Sequence, residues 1–168
     1  NKDFKIVELI LIAASNGIIS SILAIGFIAL GESILNSPTI FRLQELSDTS
    51  SILMKELFDS AVGTYNHSIN VSNLAAAAAS EISANTMLAK VGGLYHDIGK
   101  IETPEYFIEN QGEFNIHTQI KPTMSATVIK AHVKKGLELA KNHHLPKEVS
   151  DIINQHHGDG LIKYFYDM

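Results

Sequence analysis

Tyr95-His96-Asp97-Ile98-Gly99-Lys100 sets an imidazole beside a carboxylate at the end of an apolar helical stretch, with a lysine three residues on, past a glycine. A histidine followed by an aspartate offers a metal ion one nitrogen and one oxygen ligand in a single step. Lys100 can then face whatever anion the metal holds. Further imidazoles must reach this point for the idea to work, and the spacing supplies them. His67 recurs with Val71, Leu74 and Ala78, and His96 with Leu88, Val91, Gly92, Tyr95 and Gly99. His132 recurs with Ile129, Val133, Gly136 and Ala140, and His156 with Val149, Ile152 and Ile153, with His157 alongside. Each set follows the three-four spacing of a buried helical stripe.

A lone histidine on an apolar face is ordinarily a core residue with a hydrogen-bond partner. Four such faces together need a shared partner, because an unpaired buried imidazole costs about 1–3 kcal/mol. Imidazole with carboxylate suits iron, manganese or zinc better than magnesium or calcium. Six ligands exceed what one tetrahedral ion needs, which argues for two ions sharing Asp97. Paired ions can generate hydroxide and clamp an in-line phosphoryl displacement. His143 and His144 lie in the polar link before Pro146 and read as solvated surface. His117, in an irregular stretch, is equally open to touching substrate or to simple exposure.

The elements that must position these residues read as helices throughout, with no sustained two-residue alternation. Ser50 or Ser51 caps a short helix carrying Leu53, Met54, Leu57 and Phe58. Gly63 interrupts, and Thr64 is expected to cap a long helix to about Asn85, where a second helix starts and runs to about Ile98. Residues 100–121 are irregular. Pro122 opens a helix to Asn142, and Pro146 opens the next, closed by Gly158. An apolar and aromatic piece follows over 161–166.

Residues 9–31 carry no charge, and about 20 helical residues cross a hydrocarbon core. Ser15, Asn16, Ser20 and Ser21 suit helix packing inside a membrane. A signal peptide fits poorly, since the run is long and shows no clean cleavage site; a buried core helix is the plain alternative. Flanking Lys2, Lys5 and Arg42 leave orientation undecided. The chain begins on Asn1 rather than Met and so reads as part of something longer. Residues 1–35 are taken as a last transmembrane helix with its flanks, 36–50 as an amphipathic connector broken at Ser37-Pro38, and 51–168 as the catalytic domain.

The 168 residues carry a formal charge of −5, eight histidines and no cysteine. The charge makes a grip on long nucleic acid through its phosphates a poor expectation. Absence of cysteine excludes disulfides and thiolate chemistry.

HDIGK together with His67, His132 and His156-His157 resembles the HD superfamily of metal-dependent phosphohydrolases. GTYNHSINVSNLAAAAA, VGGLYHDIGKIETPEYFIENQ, and HHG followed by LIKYFY resemble, more narrowly, the seven-transmembrane HD family of PgpH type. These are membrane-anchored bacterial enzymes that hydrolyse cyclic di-AMP. GFIALGESILN resembles that family's last membrane helix, and FRLQELSD its connector. The resemblance implies an all-α HD-domain bundle preceded by one transmembrane helix, with the domain on the cytoplasmic side of the bacterial plasma membrane. It implies one metal on His67, His96 and Asp97, and a second on Asp97, His132, His156 and His157, with iron or manganese favoured. It further implies Lys100 on a substrate phosphate and a metal-bridging hydroxide opening the ring to linear pApA.

The family closes its first metal site with an aspartate on a helix well after the HHG block. The sequence stops at Met168, and neither Asp159 nor Asp167 matches that position. A C-terminally truncated domain with a weakened first site is therefore expected, one that can be inactive by itself while the full protein is not. Other HD substrates, cyclic di-GMP or an alarmone, are the nearest alternatives, although the Gly-Tyr-Pro element usual in the cyclic di-GMP branch is missing after His157. A non-catalytic nucleotide sensor and a helical membrane scaffold are rivals of a different class. A homodimer is left open.

Overall fold

A computed structural model describes residues 2–35, 38–158 and 160. Every regular element among the described residues is helical. The chain divides into two compact units, Asn1–Thr39 and Ile40–Met168.

The first unit is one helix, α1 (Lys2–Leu35). Its segment Phe4–Ile28 has a mean hydropathy of 2.1 with none of it buried, so by length and composition it can cross a membrane. The serines in the run do not leave hydroxyls unsatisfied. Ser15 Oγ donates to Leu11 O and Ser21 Oγ to Gly17 O, both at 2.8 Å. Those bonds stay inside the helix, which is what an apolar surrounding requires.

The second unit is built from α2 (Ile40–Leu46), α3 (Ile52–Ser60), α4 (Val62–Glu81), α5 (Thr86–Tyr95), α6 (Pro122–Asn142) and α7 (Lys147–Gln155). Local signals explain most boundaries. Ser51 caps α3 by accepting from Met54 N, and Asn85 caps α5 by accepting from Leu88 N at 2.9 Å. Pro122 occupies the first position of α6, while Pro146 is the residue just before α7. Between α5 and α6 the chain makes four short 3-10 turns, at Ile98–Glu102, Pro104–Tyr106, Ile108–Asn110 and Ile116–Thr118. Ser37, Asp159, Asp167 and the apolar piece over 161–166, singled out from sequence, lie outside the described residues.

Three expectations about α4 and α5 need correction. Thr64 does not cap α4; the helix already begins at Val62, and Thr64 is fully buried in its first turn. Nor does α4 bury the His67, Val71, Leu74, Ala78 stripe. Leu74 is 71% exposed, and the buried face is Thr64, Ser68, Ser72 and Ala79. The reason is close packing: α4 lies along α5 with Ser72 directly against Gly93, and only small side chains fit there. α4 also ends at Glu81 and α5 at Tyr95, each about one turn earlier than the spacing predicts.

The core gathers Leu43 and Leu46 of α2, Leu53, Met54 and Leu57 of α3, Val91, Leu94 and Tyr95 of α5, and Val149 and Ile153 of α7. α2, expected to be a connector, thus contributes two buried leucines to this unit. Tyr95, 1% exposed, shares a 3.1 Å hydrogen bond between its hydroxyl and Ser51 Oγ, tying α5 to the start of α3. Burial pushes its phenol pKa up. Tyr95→Phe is expected to cost about 1 kcal/mol, the net worth of one buried hydrogen bond, in urea denaturation. No loss would mean that Ser51 finds water instead.

Candidate metal centre

α5 ends at Tyr95, and the His-Asp pair follows directly. His96 still has helical backbone angles, Asp97 leaves them, and Ile98 begins a 3-10 turn held by Lys100 N donating to Asp97 O at 3.0 Å. The turn is seated on α6 at a point where no side chain fits. A Cβ on Gly99 would lie 1.8 Å from His132 O and 2.5 Å from Gly136 N. That backbone-to-backbone approach is what sets Asp97 beside His132.

Three helices then use the same local device. The Nδ1–H of His96 donates to Gly93 O at 2.8 Å and that of His156 to Ile153 O at 2.8 Å, while His132 Nδ1–H donates to Ile129 O. Each bond runs three residues back along the chain. With Nδ1 holding the proton, the lone pair of a neutral ring sits on Nε2, the atom that faces the centre.

The two oxygens of Asp97 divide the histidines between them. Oδ2 lies 3.1 Å from His96 Nε2, 3.8 Å from His67 Nε2 and 2.8 Å from Lys100 Nζ. Oδ1 lies 3.4 Å from His132 Nε2 and 3.6 Å from His156 Nε2. His157 Nε2 completes the second set, 3.2 Å from His132 Nε2. Within each set, His67–His96–Asp97 and Asp97–His132–His156–His157, the donor atoms all fall within 4.8 Å of one another.

Electrostatics favour a cation here. Burial pushes the Asp97 carboxyl up, but His156, His96 and Lys100 together hold it far below the usual carboxylate range. Burial pushes His132 down to about 4, so its ring is neutral at physiological pH. His157 is lowered by burial and by His156, whereas His96, although burial opposes it, is raised by its contact with Asp97.

The donor set fits a metal on two further counts. Asp97 Oδ1 is buried without a hydrogen-bond partner. His132 Nε2 and His156 Nε2 stand 3.2 Å apart although both Nδ1 protons already point at carbonyls. Two neutral rings in that state would face lone pair to lone pair. A divalent ion among these atoms answers both defects, and a nitrogen-and-carboxylate set suits a transition metal.

The sequence model of the HD domain matches residues 64–166 of this chain. The chain belongs to the HD domain family. Its HD domain is similar to the cyclic-di-AMP phosphodiesterase PgpH of Listeria monocytogenes, with 46% identity over 86% of this chain and 20% of the relative. It is similar also to PgpH of Bacillus subtilis, with 39% identity over 96% of this chain and 23% of the relative. The chain thus spans about a fifth to a quarter of these curated relatives. Among solved structures, the L. monocytogenes PgpH HD domain in complex with cyclic-di-AMP matches with a TM-score of 0.69 at 45% identity, covering 71% of this chain and 56% of that one.

Of the residues singled out from sequence, the fold brings together His67, His96, Asp97, Lys100, His132, His156 and His157. It does not bring His117 into either set. That ring donates from Nε2 to Tyr106 O at 2.7 Å and packs against the Tyr106 ring, tying together the loop before α6. His143 and His144 also stand apart, at the C-terminal end of α6. Sequence reasoning missed Glu109 and Thr64. Lys100 Nζ is 2.7 Å from Glu109 Oε1, and Thr64 Oγ1 donates to that same oxygen at 3.0 Å. A carboxylate in an irregular stretch nine residues after the lysine carries no periodic signal.

Proposed function

We propose that this chain is the catalytic portion of a membrane-anchored phosphodiesterase that hydrolyses cyclic di-AMP to linear pApA. The observation that carries the reading is the division of Asp97, one oxygen to His67 and His96 and the other to His132 and His156, with His157 in the second group. A carboxylate so placed would let His67, His96 and Asp97 hold one ion and Asp97, His132, His156 and His157 a second. Iron or manganese matches the imidazole-rich set. Two such ions, when bound, supply Lewis acidity and an activated water for in-line displacement at phosphorus.

The chain's own residues do the rest. The carbonyl-anchored imidazoles hold their Nε2 atoms toward the pocket. Lys100, with its ammonium 2.8 Å from Asp97 Oδ2, puts a positive charge beside the centre, where it would neutralise a phosphate oxygen as charge builds on it. An open cavity of about 400 Å³ lies directly beside His96, His156 and His157, lined by Val71, Ala75, Ala89, Gly92 and Ile152. It gives the non-reacting part of a nucleotide an uncharged wall to rest on. The substrate assignment is supported by the likeness to PgpH, a protein named for cyclic-di-AMP hydrolysis and crystallised with that dinucleotide. The apolar α1 supports a membrane anchor, with the HD domain on the cytoplasmic side where cyclic dinucleotides occur.

The test is hydrolysis of a nucleotide panel by the natural protein at its full length, loaded anaerobically with iron or manganese. Cyclic di-AMP is expected to yield pApA at least about tenfold faster than cyclic di-GMP or an alarmone is turned over, a preference worth about 1.4 kcal/mol. Preference for another nucleotide would overturn the substrate. Tight binding of cyclic di-AMP without turnover would make the protein a sensor.

A further inference from the structure

Lys100 is held from two sides. Its ammonium lies 2.8 Å from Asp97 Oδ2 and 2.7 Å from Glu109 Oε1, and 4.7 Å from the centre of the Phe107 ring. Only 12% of the lysine side chain and 25% of the Glu109 side chain are exposed. Glu109 arrives on a strap, residues 104–110, that has no regular structure beyond two 3-10 turns.

The strap is keyed to the start of α4. Thr64 N donates to Asn110 Oδ1 at 3.0 Å, and Asn110 Nδ2 donates to Thr64 Oγ1 at 2.8 Å. Thr64 Oγ1 in turn donates to Glu109 Oε1 at 3.0 Å. Gly63 makes the docking possible: a Cβ there would sit 1.8 Å from Glu109 O and 2.8 Å from Asn110 Oδ1. Burial pushes the Glu109 carboxyl up, but the Lys100 hydrogen bond and Thr64 help hold it below its ordinary range, so it is an anion that answers the lysine. The strap's Phe107 stands edge-on to His132, with ring centres 5.6 Å apart.

We propose that Glu109 is a positioning residue that holds the Lys100 ammonium against Asp97, so that the remaining ammonium proton faces an anion at the centre. The inference rests on reading the cluster as a phosphodiester-cleaving site. An ammonium has three protons; two go to the carboxylates, which fixes the direction of the third. Without Glu109 the lysine has a single anchor on a flexible four-carbon stem.

The test uses the metal-free protein first, so that it does not depend on turnover. Reductive methylation followed by mass spectrometry should label Lys100 at least tenfold more slowly than the exposed Lys55 and Lys141. In Glu109→Gln, Lys100 labelling is expected to rise about tenfold while Lys55 and Lys141 stay unchanged. Thr64→Val, which keeps the volume and removes the hydroxyl, should shift it the same way by a smaller factor. In the metal-loaded protein, Glu109→Gln should lower kcat about tenfold with KM within twofold. In a Lys100→Ala background it should add no further loss. An unchanged Lys100 labelling rate in Glu109→Gln, a rise shared by the reference lysines in both variants, or independent losses in the double variant would overturn the proposal. A wild type that is protected at Lys100 but turns over no nucleotide would instead sink the phosphodiesterase reading.

Discussion

Asp97→Asn is expected to lower cyclic di-AMP hydrolysis by at least about 1000-fold, a loss of roughly 4 kcal/mol of transition-state stabilisation. The carboxylate lies within 4 Å of His67, His96, Lys100, His132 and His156 at once. An amide of the same shape keeps the volume but offers one oxygen in place of two and no charge, so it cannot hold two cations together. The steady-state rate of pApA formation measures the effect. His143→Ala, half-buried at the end of α6 and outside both donor sets, serves as the control and should keep its rate within about twofold. Equal losses in both variants would mean that the division of Asp97 between two histidine sets has no bearing on the reaction.

Gly99→Ala should act through the fold instead. The added methyl would have to occupy the space of His132 O and Gly136 N, and neither is the yielding end of a side chain. Overpacking of a core commonly costs about 1–3 kcal/mol, and a backbone-on-backbone clash belongs at or above the top of that range. A loss of about 3 kcal/mol or more in urea denaturation is expected, a large part of the whole stability of a domain of ordinary size. The same clash pushes the Asp97 turn away from His132, so metal affinity should fall even where the variant remains folded. A variant of native stability would show that the turn can slide along α6, and the account of how Asp97 meets His132 would fail.

The parts of this site that were legible in the sequence are those that obey local rules. The spacing around His96, His132 and His156 puts each on an inward helical face, and Ser51, Asn85 and Pro122 announce where helices begin. The His-Asp pair is legible for the same reason: two ligands adjacent in sequence need no fold to bring them close. What could not be read depends on contacts between distant segments. Thr64 has the side chain of an N-cap, yet its hydroxyl is taken by Glu109, 45 residues on. On α4 the apolar spacing points to a face that is not the buried one. Against the small residues of α5 the helix buries Ser68 and Ser72 and turns Leu74 out.

The most direct test of the central claim is metal content. The natural protein at its full length, reconstituted anaerobically with iron or manganese and freed of loose ions, should hold two ions per chain by elemental analysis, and Asp97→Asn should not hold both. One ion or none in the wild type, or two retained in Asp97→Asn, would contradict a centre built on a shared carboxylate.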